Sequence, residues 1–151
     1  MRKVCLVVWF SIVLAGPFLA GDVTNPKLPV RPEVTIVNPS GGEAWAPGKE
    51  ISIIYSFNVA VDHHYLKLYS NNKFVGWITS DFIPYAPGQR ITRKWRVGHV
   101  SSDGYPEHMI TAPPGDHYKI GFSIISWDQP ALAYSNTFAI IDVKAIFERN
   151  K

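Results

Sequence analysis

Residues 34–57, VTIVNPSGGEAWAPGKEISIIYSF, are the stretch that decides the fold. A short apolar segment leads into Asn-Pro-Ser-Gly-Gly. A second turn signal, Pro47-Gly48, precedes a segment in which every second residue is large and apolar. Such alternation predicts a β-strand with one buried face, and glycines supply the backbone conformations that turns demand. The stretch therefore predicts the first two strands of a β-domain and the turns that join them.

Outward from this stretch, the chain repeats the same pattern. Alternating segments separated by turns rich in Gly, Pro and Asn lie at 34–37, 51–57, 65–69, 73–79, 89–97, 117–125 and 133–143. About seven short strands without an amphipathic helix predict an all-β fold, an antiparallel β-sandwich of immunoglobulin or fibronectin type III kind. A small closed barrel is the alternative. Residues 99–116, rich in Gly, Pro and Ser, form the longest predicted loop.

The N-terminus has the pattern of a secretory signal peptide. Met1-Arg2-Lys3 is followed by an apolar run of about 12 residues, which ends at Gly16-Pro17. The run is shorter than the roughly 20 residues of a membrane span. We expect a signal peptide over 1–20, cleaved after Ala15 or Ala20. An extended linker over 21–33, a β-sandwich domain over 34–143 and a C-terminal tail over 144–151 would follow.

Charge and cysteine content exclude several classes of protein. Without Arg2 and Lys3, 13 basic residues face 12 acidic ones, so the mature chain carries a net charge of +1. Such a balance argues against a dedicated nucleic-acid binder. The one cysteine, Cys5, lies in the leader, so the mature chain has neither a disulfide nor a thiol nucleophile. The sequence therefore indicates a secreted domain that depends on its core alone.

Aromatic residues are the candidate ligand-binding groups. Tyr65, Tyr69 and Trp77 fall on a predicted hairpin, where they would form an exposed aromatic strip, and Tyr85, Tyr105 and Trp127 fall in predicted loops. Exposed rings in a row suit a glycan or a partner protein. The alternative is ordinary packing, since aromatic residues are common in strands.

Trp45 and Glu43 lie between the two turns of the opening stretch. The ring of Trp45 would either stack on a sugar or close a corner of the sandwich, and its place beside two turns favours the corner. Glu43 is expected to accept backbone N–H groups of the same turn. The residues of this structural motif are Pro39, Gly41, Gly42, Glu43, Trp45 and Gly48.

Catalytic and metal-binding patterns are weak. The chain has no Gly-x-Ser-x-Gly elbow, and spacing alone gives no carboxylate pair among Asp81, Asp103 and Glu107, which fall in predicted loops. His63 and His64 would point to opposite faces of a strand and would not chelate a metal together. We expect no enzyme activity, no metal and no cofactor.

Two segments resemble a known family. The first is Pro39, Gly41-Gly42-Glu43, Trp45 and Gly48 with the following strand, and the second comprises residues 115–120 and 134–140. Together they resemble the N-terminal domain of yeast cell-wall proteins required for β-1,6-glucan synthesis. The same module occurs in fungal Ser-Thr-rich GPI-anchored proteins.

This resemblance implies a secreted, non-enzymatic β-sandwich module with a structural or assembly role at the cell wall, in β-glucan organisation. The alternatives are a soluble carbohydrate-binding module and a small secreted effector that binds a protein. The expected partner is accordingly a cell-wall polysaccharide or a secreted or surface protein, without a membrane span in the mature chain.

Overall fold

The computed structural model describes residues 30–124, 130–143 and 148. The strands among them are β1 (Val34–Asn38), β2 (Ala44–Trp45), β3 (Glu50–Phe57), β4 (His64–Ser70), β5 (Lys73–Asp81), β6 (Ile91–Arg96), β7 (His99–Ser101), β8 (Met109–Thr111), β9 (Gly115–Ser123), β10 (Ala133–Tyr134) and β11 (Phe138–Ile140).

The strands form two sheets that pack as a sandwich. One sheet has the order β1-β3-β6, and the other has the order β2-β11-β9-β4-β5-β7-β8, with β10 paired to β9. The predicted all-β sandwich is confirmed, and each of the seven predicted strand segments contains a strand. The prediction of a wholly antiparallel fold needs correction, because β11 pairs with β2 in parallel.

Three short strands were not predicted. Strand β2 has two residues, too few to show a period of two, and β7 and β8 lie inside the segment predicted as a long loop. That segment pairs with β5 and extends the large sheet at one edge. The last predicted strand is also interrupted, since β10 and β11 are separate elements.

The core lies where the alternating faces of the two sheets meet. Every second residue of β3, from Ile51 to Phe57, is buried, as the sequence pattern predicted. These side chains face buried residues of the large sheet, among them Leu66, Leu68 and Phe122. Burial of a large apolar side chain contributes about 1.5–3 kcal/mol, so this layer is the main source of stability.

The turn after β1 is held by Glu43. Its carboxylate accepts hydrogen bonds from Ser40 N at 2.7 Å, Ser40 Oγ at 2.7 Å and Gly41 N at 2.8 Å. Burial alone would raise the pKa of Glu43. The hydrogen bonds from Ser40 and from the turn backbone lower it by more, so the pKa lies below its ordinary value. The expectation that Glu43 accepts the N–H groups of its own turn is therefore confirmed.

The other residues of the opening motif shape the same corner. Gly41, Gly42 and Gly48 have φ angles of +114°, +80° and +80°, which favour glycine. Pro39 is buried beside them. Trp45 is 8% exposed, and its ring centroid lies 5.1 Å from that of Phe138. The structure thus places Trp45 in the core rather than on a sugar-stacking surface.

Several predictions fall outside the described residues: the signal peptide, most of the linker, Trp127 and most of the C-terminal tail. Residues 30–33 of the linker contain no strand. In the part of the chain that the structure describes, no helix has the length and apolar character needed to cross a bilayer.

Candidate functional site

The candidate site begins on the outer face of the hairpin formed by β4 and β5. Side chains of Tyr65 and Tyr69 point outward because Leu66 and Leu68 between them point into the core. Lys67 pairs with Trp77 and Tyr69 pairs with Phe74 across the hairpin. The pairing shifts by one residue at two places, so β5 carries extra residues opposite β4. These irregularities bring both Phe74 and Trp77 to the outer face.

Seven aromatic side chains contact one another across this face, and we call them the aromatic strip. Neighbouring ring centroids lie 5.1–6.2 Å apart. Six of these seven contacts are edge-to-face, with interplanar angles between 65° and 90°. The members of the strip are His63, Tyr65, Tyr69, Phe74, Trp77, Phe82 and Tyr134.

The strip is not a flat platform. The prediction that the hairpin rings are exposed is wrong for Trp77 and Tyr69, which are each only 9% exposed because neighbouring rings cover them. Phe74 and Tyr134 are about half exposed, at 45% and 46%. A flat polysaccharide surface would need coplanar faces open to solvent, and edge-to-face packing prevents that arrangement. The strip therefore supports a local site better than a broad planar one.

A cleft opens at one end of the strip, with a volume of about 640 Å³. Tyr65 and Trp77 line it from the sheet, and Phe82 lines it from the segment after β5. Tyr105 and Met109 line it from the hairpin of β7 and β8. Its polar lining consists of Thr79, Ser80, Ser101 and Asp103. A concave, mostly apolar site with a few polar groups is typical of small-ligand pockets.

The connection between β7 and β8 is held by hydrogen bonds around Ser101 and Asp103. The N–H of Gly104 donates to Ser101 Oγ at 2.8 Å, and that hydroxyl donates to the Tyr105 carbonyl at 2.7 Å. Asp103 accepts from the Tyr105 N–H at 3.1 Å and contacts His108 Nδ1 at 2.5 Å. The hydrogen bond from His108 lowers the pKa of Asp103. These bonds hold the backbone of Tyr105 at the cleft.

Ser101, Asp103 and His108 do not form a catalytic triad. In a triad the imidazole lies between the hydroxyl and the carboxylate, so that it can take the hydroxyl proton. Here the carboxylate lies between them, because Ser101 Oγ is 3.2 Å from one oxygen of Asp103 and His108 contacts the other. The imidazole therefore does not lie beside the hydroxyl as a triad requires, and the hydrogen bonds of this cluster hold the loop.

A second polar cluster lies on the inner side of the large sheet. Asp81 forms an ion pair with Arg93, and Tyr85 donates to the same carboxylate at 2.9 Å. Tyr55 is hydrogen-bonded to Nε2 of His64, which is fully buried. Burial raises the pKa of the Tyr55 hydroxyl, and burial, followed by Arg93, lowers the pKa of His64 to about 4. This polar network is buried except at Arg93, whose side chain is partly exposed.

One sequence prediction is wrong at this cluster. Asp81 was expected in a loop, but it ends β5, is 6% exposed and pairs with Arg93. Tyr85 was grouped with the binding rings, and the structure places its ring against His64 and Arg93, away from the aromatic strip. The sequence shows neither contact, because a long-range ion pair leaves no local pattern.

The structure brings together four of the six predicted rings. Tyr65, Tyr69 and Trp77 lie on one face, and Tyr105 faces Tyr65 and Trp77 across the cleft. Sequence reasoning missed four further contributors on the same face: Phe74, Phe82, Met109 and Tyr134. The position of Phe74 depends on an irregular strand pairing, Phe82 lies in the segment directly after β5, and Met109 belongs to a hairpin that was predicted as loop.

No group of three His, Cys, Asp or Glu side chains within 30–124 and 130–143 is close enough to hold a metal ion. No family model matches the chain, and no curated protein is similar enough to count as a relative. The functional argument therefore depends on the cleft and the strip themselves.

Proposed function

We propose that this protein is a secreted, non-enzymatic module that holds a glucan chain in the cleft beside Tyr105 and so contributes to the structure or assembly of a cell wall. The observation that carries the proposal is the cleft of about 640 Å³ lined by four aromatic side chains and four polar ones. The N-terminal signal-peptide pattern and the resemblance of residues 34–57 to a glucan-associated family support the same setting.

Sugars match the chemistry of this cleft. One face of a hexose is made of C–H groups that pack on aromatic rings, while its hydroxyls need hydrogen-bond partners at the edges. The rings of Tyr65, Phe82 and Tyr105 supply the apolar surface, and Thr79 and Ser80 supply hydroxyl groups. The cleft is too small for a sheet of packed chains, and its aromatic rings lie at steep angles to one another. A single chain or a chain branch is therefore the proposed ligand.

A secreted protein-binding effector is the second candidate. Phe82, Ile83, Met109 and Ile110 are 69%, 58%, 47% and 42% exposed around the same end of the sheet. Exposed apolar groups of this kind are also found where proteins associate. The polar side chains in the cleft favour the glycan. Sugar hydroxyls need hydrogen-bond partners, whereas a protein partner could bind a wholly apolar patch.

The proposal is tested by titrating the protein with a soluble β-1,3-glucan that carries β-1,6 branches. We expect Tyr105→Ala to weaken binding about tenfold, since one well-placed ring contributes roughly 1.4 kcal/mol. Tyr105 is 61% exposed, so its removal should leave the fold intact. Thermal melting of each variant checks the fold, and calorimetry measures the affinity.

The matched control is Tyr134→Ala, which removes the same ring from the same sheet face outside the cleft. We expect it to bind the glucan like the wild type. Equal losses from both variants, or none from Tyr105→Ala, would show that the cleft is not the site. A wild-type protein that ignores the glucan but captures a secreted protein through this face would support the effector instead.

A further inference from the structure

We infer that the cleft selects uncharged glycan chains and excludes acidic ones, and that Asp103 is the residue that makes this distinction. The inference rests on the proposed function, because it names the class of glycan that the same cleft accepts.

The first step is the charge of the cleft lining. Of the twelve residues that line the cleft, Asp103 alone has a side chain that is ionised in neutral water. Its carboxylate is 44% exposed, so solvent and ligand can both reach it. The lining includes no lysine, arginine or histidine to attract an anion.

The second step concerns the nearest cations. Lys67 has its Nζ 4.6 Å from the centre of the Trp77 ring, but it is only 3% exposed and does not line the cleft. His108 contacts Asp103 and is charged only when protonated. The hairpin of β7 and β8 contains no lysine or arginine, so Asp103 has no permanently charged partner on its own hairpin.

The third step is that Asp103 remains in place and ionised. Its Oδ1 accepts the Tyr105 N–H and lies 3.2 Å from Ser101 Oγ, and its Oδ2 contacts His108. Each oxygen of a carboxylate has two lone pairs, so Asp103, which lines the cleft, keeps acceptor capacity beyond these contacts. Sugar hydroxyls can donate to it, whereas the carboxylate of a uronic acid can only repel it.

The size of the repulsion follows from Coulomb's law. Two like charges about 6 Å apart at a partly exposed site, with an effective dielectric constant near 40, repel each other enough to lower affinity about tenfold. The effect should shrink as salt screens the charges. A purely structural role for Asp103 would change affinity for neutral and acidic glycans alike.

The experiment compares one glucan in two charge states. The probes are the branched β-1,3-glucan and the same glucan oxidised at C6 to glucuronic acid, both titrated at about pH 8, where the carboxyl groups of the oxidised glucan are ionised. We expect the wild type to bind the neutral form about tenfold more tightly than the oxidised form. Asp103→Asn should bring the two affinities within about twofold, because the amide keeps an acceptor for Tyr105 N and loses the charge.

The matched control is Glu107→Gln, which removes one carboxylate from the same exposed turn without touching the cleft lining. We expect this variant to keep the tenfold preference, and raised salt to reduce the preference in the wild type but not in Asp103→Asn. Equal binding of both glucans by the wild type, or an unchanged ratio in Asp103→Asn, would overturn the inference. Failure of the wild type to bind the neutral glucan would instead overturn the proposed function.

Discussion

His64 shows how far a single buried residue departs from its ordinary chemistry. It is fully buried, its Nε2 is hydrogen-bonded to Tyr55, and Nδ1 has no hydrogen-bond partner among the described residues. Burial, with the charges of Arg93 and His63, lowers the pKa of His64 to about 4. The folded protein therefore holds this imidazole neutral over a pH range in which the unfolded chain protonates it.

At the residue scale we predict that His64 makes stability depend on pH. A lowered pKa means that the unfolded state binds the proton more readily, so stability is complete above about pH 6.5 and falls as the pH drops towards about 4. The total loss should be about 3 kcal/mol. His64→Gln keeps a hydrogen-bonding side chain that does not bind a proton in this pH range. The urea concentration at its unfolding midpoint should therefore vary less between these pH values than that of the wild type.

The comparison is made with His117→Gln, where the side chain is 60% exposed. That variant should keep the wild-type dependence, because it changes an exposed side chain and leaves the buried network around His64 intact. The prediction fails if His64→Gln and the wild type lose stability in parallel over this range.

The turn between β1 and β2 is the element that joins the two ends of the domain. Gly42 N donates to the Thr137 carbonyl at 2.8 Å, and Asn136 Nδ2 donates to the Ser40 carbonyl at 2.6 Å. These bonds place β2 beside β11, which gives the one parallel pairing among the described strands. The turn therefore needs both the left-handed conformation of glycine and room for Asn136.

At the element scale we predict that Gly41→Ala destabilises the domain more than Gly42→Ala. Both positions have positive φ, which costs a residue with a Cβ about 1–2 kcal/mol. A Cβ at Gly41 would also lie 2.7 Å from the Cβ of Asn136, whereas one at Gly42 meets nothing within 4 Å. We expect losses of about 3 kcal/mol for Gly41→Ala. The loss for Gly42→Ala should be about 1 kcal/mol, with both values taken from urea unfolding. Similar losses from both would mean that contact with Asn136 does not constrain the turn.

At the scale of the whole molecule, Phe138 joins the two sheets. It is 1% exposed, and its ring centroid lies 5.1 Å from Trp45, 6.1 Å from Trp95 and 6.0 Å from Tyr118. Trp95 belongs to the small sheet, whereas the other two belong to the large one. This contact closes the sandwich at the end where β2 pairs with β11.

We predict that Phe138→Ala costs about 4 kcal/mol, since it empties a site surrounded by rings. That is a large part of the 5–15 kcal/mol of a typical domain. Phe82→Ala, which truncates a ring that is 69% exposed, should cost less than about 1 kcal/mol. Denaturant unfolding measures both, and equal losses would contradict this account of the core.

Sequence reasoning predicted the frame of this fold well. The alternation in β3 correctly identified its buried face, and the predicted hairpin of β4 and β5 is confirmed, with Asn71 and Asn72 at its turn, where both residues have positive φ. The cleft itself was not predicted. Tyr65, Trp77 and Tyr105 were chosen because they are aromatic, but nothing in their spacing showed that they meet.

The sequence by itself determined the all-β class, the inward face of β3 and the turn built on Glu43. These features depend on alternation and on bonds between residues three apart or fewer, which are local. Only the tertiary structure decided that Phe74 and Trp77 share a face, that β7 and β8 extend the large sheet beside β5, and that Tyr85 turns inward to Arg93. These depend on strand register and on contacts distant in the chain, because a shift of one residue in pairing exchanges the faces of a strand.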